Sequence, residues 1–265
     1  MAVCLVLHAN HDTTLMRGAS VFRRIGNKAY KYAFPAYRVA YRSFKAYADR
    51  AERRVLRKTL SNGAVVVDAG ANIGIYSEFL SRCVGPQGVV HSFEPSADNF
   101  IRLRCATRKL TNVCPCQVAV GERSGETILY VSDELNVDHW TYAAETNSRR
   151  AVQVGIVALH DYFKTGERVD LLKLDIQGYE LHALQGAKRI INENPDIKLL
   201  LEFWPYGLKQ AGVNWNELIQ MLKGFGMNIM FVRTNDLIPF EARMVRTDVN
   251  WYLNLFASRS AGGPI

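Results

Sequence analysis

Long apolar runs are missing from this 265-residue chain. None approaches the roughly 18 residues that a bilayer-spanning helix needs. The opening MAVCLVL is short and has no basic region ahead of it, so it reads as a poor signal peptide. Cysteine is scarce: five residues, an odd number, which fits reduced thiols in a cytosolic protein and not a disulfide framework. Cys114 and Cys116 sit in CPC with no second pair to complete a zinc site, and read as buried thiols near a strand. Internal repeats and low-complexity tracts are absent. No RNA-binding motif is visible and the body of the chain has no basic excess, so nucleic acid is not an expected partner. The G-x-G-x-x-G fingerprint of dinucleotide-binding folds is absent too.

Acids are nearly missing from one region only. Residues 1–60 hold 13 Lys/Arg against Asp12, Asp49 and Glu52, a net +10 in a chain whose total is +8. The remainder is therefore slightly acidic, at −2. The chain divides near residue 60 into a basic, aromatic-rich helical extension (1–60), a main domain (61–259) and a flexible tail (260–265). Pro35 suits the first turn of a helix. From Tyr37, apolar residues recur through Tyr41, Phe44, Ala48, Ala51 and Val55 at spacings of 4, 3, 4, 3 and 4. That is one face of a single long helix with arginines over much of the rest, stopped by Asn62-Gly63. A basic helix of this kind packs its aromatics on the body or attaches peripherally, through residues 17–58, to the anionic inner face of a membrane. The expected location is cytoplasmic, with that contact as the membrane alternative.

Beyond residue 62, strands and helices alternate. Strands are predicted at 64–68, 88–93, 116–120, 169–175, 197–203, 227–232 and 249–257. A β-rich insertion (ETILYVS and AVQVGIV) falls between the third and fourth. Helices are predicted after the first strand (Ile73, Tyr76, Phe79, Leu80 and Cys83 on one face), over 97–109, through Leu181, Leu184, Ala187 and Ile190, and over 214–224. Near-continuous apolar strands alternating with helices give a doubly wound, mostly parallel α/β sheet of seven strands, covered on both faces. Only a loop separates the last two strands, so the last is expected to run antiparallel.

The first strand ends in VVVDAGANIGIY, with Asp68, Gly70, Asn72 and Gly74 on alternate positions. Glycines there let backbone approach a nucleotide-like ligand. Twenty residues past Gly74, Glu94 ends the second strand, placed to accept hydrogen bonds from ribose hydroxyls. An acid two positions before the first glycine would repel a pyrophosphate. It suits a ligand carrying an amino group and a sulfonium, namely S-adenosylmethionine. The fourth strand ends in LLKLDIQGYELHALQGA, which puts Asp175 at the carboxyl edge of the sheet, and the fifth ends in LLLEFWP.

These blocks, VVVDAGANIGIYS, HSFEPS, VDLLKLDIQGYELHALQGA and LLLEFWP, resemble the FkbM-type S-adenosylmethionine-dependent methyltransferases, over about residues 55 to 257. The resemblance implies a Rossmann-like class I methyltransferase and methyl transfer to a hydroxyl of a saccharide or glycosylated natural product. It implies methionine-end roles for Asp68, Gly70, Asn72 and Gly74, a ribose role for Glu94, and Ala119 or its neighbours against adenine. The family's fourth block commonly reads D-x-E-G-x-E; here Gln177 stands in for the middle acid. That speaks against a divalent metal on Asp175, residue 177 and Glu202, and no metal is expected.

The insertion carries LNVDHWTY, which resembles a block found in a subset of the family. A neutral histidine is a suitable base for a hydroxyl, so His139 is the first candidate. Asp138 orients it or grips the acceptor, and Asp175 is the rival base. Trp140, Trp204 and Tyr206 offer apolar faces to a sugar ring. Two alternatives stay open: a nicotinamide-dependent oxidoreductase on a similar sheet, and a non-catalytic module that binds S-adenosylmethionine without turnover.

Overall fold

The computed structural model describes residues 28–132, 149–233 and 236–259. Its centre is an eight-stranded sheet in the order β10-β9-β11-β8-β7-β1-β2-β3. The strands are β1 (Val65–Ala69), β2 (Val89–Phe93), β3 (Val113–Cys116), β7 (Leu171–Leu174), β8 (Lys198–Phe203), β9 (Asn228–Val232), β10 (Leu237–Pro239) and β11 (Leu253–Ser258). β1 pairs in parallel with β2 and β7, β2 with β3, and β7 with β8. β11 inserts antiparallel between β8 and β9, as the loop-only connection implies. The count exceeds the expected seven by β10, a three-residue strand pairing antiparallel with β9.

Alternation across the pleat sorts the strand residues into two cores. Val67, Leu172, Leu199 and Leu201 face one cluster. It is closed by α5 (Leu159–Tyr162), α6 (Glu180–Gln185), α7 (Lys188–Glu193), α8 (Pro205–Gln210) and α9 (Trp215–Gly224). Val66, Leu171, Leu200 and Phe256 face the other, closed by Tyr76, Phe79 and Leu80 of α3 (Ile75–Val84) and by Val55 and Leu56 of α2 (Arg50–Thr59). The basic segment thus contributes α2 to the core of the sheet. None of the described helices is long and apolar enough to cross a membrane.

Three elements differ from expectation. The long N-terminal helix is two, α1 (Phe34–Ala48) and α2, broken at Asp49, whose φ of −95° and ψ of 27° leave the helical region. The strand expected at 116–120 is split: β3 ends at Cys116 in the main sheet, while β4 (Ala119–Val120) joins a second, three-stranded sheet with β5 (Gly125–Ser132) and β6 (Arg149–Val157). Pro115 is tolerated in β3 because β3 is an edge strand. The helix through Leu181 and Ile190 is interrupted at Gly186. A Cβ at Gly186 would lie 2.0 Å from the Gly121 carbonyl oxygen, so the missing side chain lets Gly121, at the insertion's base, seat against the helix pair.

Candidate active site

In an open α/β sheet the ligand crevice lies beyond the carboxyl ends of the strands, where the strand order reverses. Here that point falls between β1 and β7. Asn72 (φ 51°) and Gln177 (φ 58°), the two non-glycine residues with positive φ among those described, flank it from the loops after these strands. Left-handed backbone in such residues costs about 1–3 kcal/mol and collects at functional sites.

Register builds a polar row under these loops. Asp68 lies beside Ser92 on β2 and Lys173 on β7. All three are buried, Asp68 completely. The Lys173 ammonium donates to Asp68 Oδ1 at 2.9 Å, Ser77 Oγ donates to Asp68 Oδ2 at 2.8 Å, and Ser92 Oγ donates to Ser77 Oγ at 3.0 Å. Burial works against the Lys173 charge, but the carboxylates of Asp68 and Asp175 outweigh it and hold its pKa above the usual lysine value. The structure therefore spends the Asp68 carboxylate on bracing β1 against β7 and α3.

Beyond this row, Asp175 and Glu202 end β7 and β8, bridged by Gln177. Its amide donates to Glu202 Oε2 at 2.8 Å and to Asp175 Oδ1 at 3.4 Å. Lys173 Nζ is 3.8 Å from Asp175 Oδ2. Burial, then the charges of Asp175 and Glu180, push the Glu202 carboxyl well above the usual range, while Lys45 and Lys173 pull it back. Glu180 is fully buried. Its Oε1 accepts from the backbone N–H groups of Ile176 and Gly178, its Oε2 has no hydrogen-bond partner among the described residues, and burial raises its pKa to about 7.

The glycines of the first loop serve the protein's own packing. A Cβ at Gly70 would stand 1.9 Å from the Asp175 carbonyl oxygen, so Gly70 lets the two loops touch; its φ of +79° demands glycine as well. A Cβ at Gly74 would meet Leu103 and Ala106 of α4 (Ala97–Thr107). Gly70→Ala meets rigid backbone and a forbidden φ. We expect it to cost about 3 kcal/mol or more in a denaturant unfolding titration, and a loss below about 1 kcal/mol would mean that the loops are not held together as described.

Glu94 lies beneath this loop, 5% exposed. It accepts from the backbone N–H of Asn72 and of Ser96, each at 2.9 Å, and burial raises its pKa to about 7 despite these bonds and one from Asn99. Asn72 Oδ1 is buried without a hydrogen-bond partner among the described residues. Ala119 is 4% exposed in β4, pairing with Ile156. Trp204 packs over Gly207 and donates its indole N–H to the Val249 carbonyl at 3.0 Å, with Tyr206 5.6 Å away ring to ring. Asp138, His139 and Trp140 lie outside the described residues.

Residues not singled out from sequence complete the site. The helical extension lies across it. Tyr30 donates to Asn99 at 2.5 Å, and Asn99 is in turn bonded to Glu94. Tyr30 also packs with Ile73 of the first loop and Ile75 at the start of α3, and Phe34, Tyr37 and Tyr41 extend that contact. Arg38 and Arg42 pair with Glu78 of α3. At the far end Lys45 pairs with Asp49 at 2.8 Å and sits 5.8 Å from the Tyr76 ring centre, over which Lys173 also lies at 4.6 Å. Burial disfavours the Lys45 charge, and Asp49, Tyr41, Tyr76 and Asp175 more than restore it. The extension thus reaches the Glu94 network through Tyr30, ahead of α1, and adds the charge of Lys45, within α1, to the surroundings of Asp175.

A family model described as the methyltransferase FkbM domain matches residues 68–228, more than half of the chain. The chain belongs to the FkbM methyltransferase family. The nicotinamide-dependent alternative is thereby set aside, and the methyl donor of this FkbM protein is S-adenosylmethionine. Among curated relatives, Methyltransferase sdnD of Sordaria araneosa is 29% identical over 204 residues, 59% of this chain and 78% of the relative. Methyltransferase 1 of Beauveria bassiana is 29% identical over 145 residues, 46% of this chain. Among solved structures, an FkbM methyltransferase from Methylobacillus flagellatus is similar at 18% identity and a TM-score of 0.48, over 74% of this chain. The chain spans 57% of the Beauveria protein and 44% of the Methylobacillus one.

The site's donor set fits S-adenosylmethionine. Glu94 lies under the first loop and keeps unused lone pairs, Asn72 presents an unpartnered buried oxygen, and the carboxylates of Asp175 and Glu202 suit a cationic ligand.

Proposed function

We propose that this chain methylates a hydroxyl of a saccharide or glycosylated small molecule, in the crevice between the β1 and β7 loops. The observation that carries the reading is the carboxylate pair Asp175–Glu202, bridged by Gln177 and lying beside the loop of Gly70. In this reading Glu94 and Asn72 hold the adenosine and methionine portions of S-adenosylmethionine with the backbone of residues 70–74, and Ala119 lines the adenine. When bound, the cofactor supplies a methyl group made electrophilic by its sulfonium. Asp68 acts at one remove, by holding Lys173 and the loop in place.

An alcohol is a poor nucleophile until its proton is taken. Glu202, whose proton affinity is raised first by burial and then by its acidic neighbours, is a stronger base than a solvated carboxylate. Asp175, with its side chain 35% exposed, is the carboxylate open to the acceptor and orients its hydroxyl. Lys173 and Lys45 keep the pair from collecting more charge than the cavity tolerates. The neighbouring rings of Trp204 and Tyr206 form a rim against which a sugar ring packs. His139 is the competing base, with Asp138 to orient it and Trp140 beside it.

Mass-spectrometric detection of methylated products from a panel of saccharides and glycosides, with S-adenosylmethionine, tests the reading. Glu202→Gln is expected to lower kcat by about 10²–10⁴-fold. Collapse in His139→Ala with Glu202→Gln unaffected would move the base to the insertion. Glu94→Ala is expected to abolish calorimetric binding of S-adenosylhomocysteine. Intact binding there would remove the assigned ribose role, and binding with no turnover on any acceptor would favour a non-catalytic module.

A further inference from the structure

The inward face of α1 is taken up by the body, but its outward face is not. Tyr32, just before α1, is 85% exposed, Val39 is 68% exposed and Tyr47 is 70% exposed. These are three of the six large hydrophobic side chains left exposed among the described residues, and they fall within sixteen positions of one another. Pro35, Ala36, Ala40, Ser43 and Ala46 lie on the same side and are exposed too, so the outward face carries no acid.

Within the segment that carries this face the charge is nearly all of one sign. Residues 28–60 hold ten Lys/Arg against Asp49 and Glu52. Both acids are engaged inward: Asp49 with Lys45, and Glu52 with Asn254 of β11 at 2.7 Å. Lys28, Lys31, Arg54 and Lys58 are exposed, and the Arg50 guanidinium covers the Tyr47 ring at 4.6 Å; Arg42 and Arg57 are exposed too but reach inward, to Glu78 and the Phe79 ring. Residues 61–265 sum to −2, so the positive excess belongs to the N-terminal segment that includes this helix pair.

We propose that the outward face of α1 docks on the surface of an anionic lipid bilayer, with Tyr32, Val39 and Tyr47 entering the headgroup layer and the flanking cations meeting lipid phosphates. Tyrosine suits that layer, being apolar along its ring and polar at its tip. Each basic residue near an anionic surface contributes about 1 kcal/mol, within a screening length of about 10 Å. The helix lies on the membrane and does not span it. The proposal does not depend on which hydroxyl is methylated.

The test is co-sedimentation of the full chain with phosphatidylcholine vesicles, and with phosphatidylcholine vesicles containing roughly one-third phosphatidylserine, at low and high salt. Binding to the anionic vesicles is expected to exceed binding to the neutral ones by about tenfold or more, and to fall towards the neutral level in about 0.5 M salt. Val39→Ser/Tyr47→Ser is expected to weaken it about tenfold with an unchanged thermal midpoint, because both side chains already face water. Lys28→Glu/Lys31→Glu is expected to do the same through charge. Equal binding to both vesicle types, no binding to either, or indifference to the serine substitutions would overturn the proposal. So would a clear drop in the midpoint of the serine variant, which would mean that the face is packed against protein. A dimer in sedimentation velocity that the serine variant dissociates would assign the face to a second copy instead, and salt-sensitive binding of a generic RNA equal to that of the anionic vesicles would assign it to nucleic acid.

Discussion

Lys173→Met is expected to destabilise the protein by about 3–5 kcal/mol, a fall of very roughly 10 °C in the thermal midpoint. Asp68 and Lys173 are Cα partners on adjacent central strands, so their side chains share one face of the sheet under the covering helices. Asp68 is wholly buried, and the Lys173 side chain is 5% exposed. Methionine matches the lysine stem in length but leaves the Asp68 carboxylate, among the described residues, with only the Ser77 hydroxyl. An unpaired buried charge costs far more than the pair itself is worth, because neither water nor a counter-charge reaches it. The same logic predicts rescue: Lys173→Met/Asp68→Leu removes both charges and should recover most of the loss. Asp68→Asn alone should cost less than Lys173→Met, since Lys173 keeps Asp175 at 3.8 Å. Guanidinium unfolding of the three variants measures this, and a double variant no more stable than Lys173→Met would show that the pair is not the source of the effect.

What could be read from sequence follows from how local each signal is. Strands β1, β2, β7 and β8 announce themselves as short apolar runs, and helices between them force parallel pairing. The β3 region misleads because the apolar run from Cys116 to Val120 continues while the chain changes sheets. Nothing in a hydropathy pattern records a change of partner. The break at Asp49 is hidden in the same way, since the 4-3-4-3 spacing runs straight through it and one residue's φ and ψ carry no periodicity. In the site, Asp175 and Glu94 were legible because each ends a recognisable strand. Lys173 was not. In LLKLD it looks like the exposed member of an alternating strand, and only the adjacency of β1 and β7 puts a buried acid opposite it. Lys45 was still further out of reach. It approaches Asp175 because Tyr30, Tyr37 and Arg38 seat α1 on the first loop and α3, a docking of one element on another that composition does not encode.

Gln177→Glu tests whether the departure from the family's acidic block is a working part of this site. The substitution keeps the left-handed backbone cost and nearly the same shape, so it isolates charge. At pH 8 it replaces the amide donor to Glu202 and Asp175 with a third carboxylate between them. Losing a hydrogen bond to a charged group and adding like charge is expected to cost about 3 kcal/mol. At pH 5 the added carboxyl holds its proton, donates in place of the amide, and the deficit should shrink to about 1 kcal/mol or less. The wild type has a slope of the same sign. Glu94 and Glu180 have pKa values raised to about 7, and Glu202 is raised as well. Between the ordinary glutamate pKa and these values the folded state binds more protons than the unfolded one, so stability falls as pH rises from about 4.5 to 7. In turnover, the extra charge raises the Glu202 pKa further. The alkaline-going limb of the pH–rate profile should then move up by about one unit, because the base ionises later. Gln177→Met loses the donor to Glu202 without adding charge, and is expected to lower kcat and to move the limb up by less than the glutamate variant does. If both variants lose activity equally at every pH, Gln177 only positions the loop; a limb that moves further in the glutamate variant than in the methionine variant assigns proton transfer to the pair that Gln177 joins.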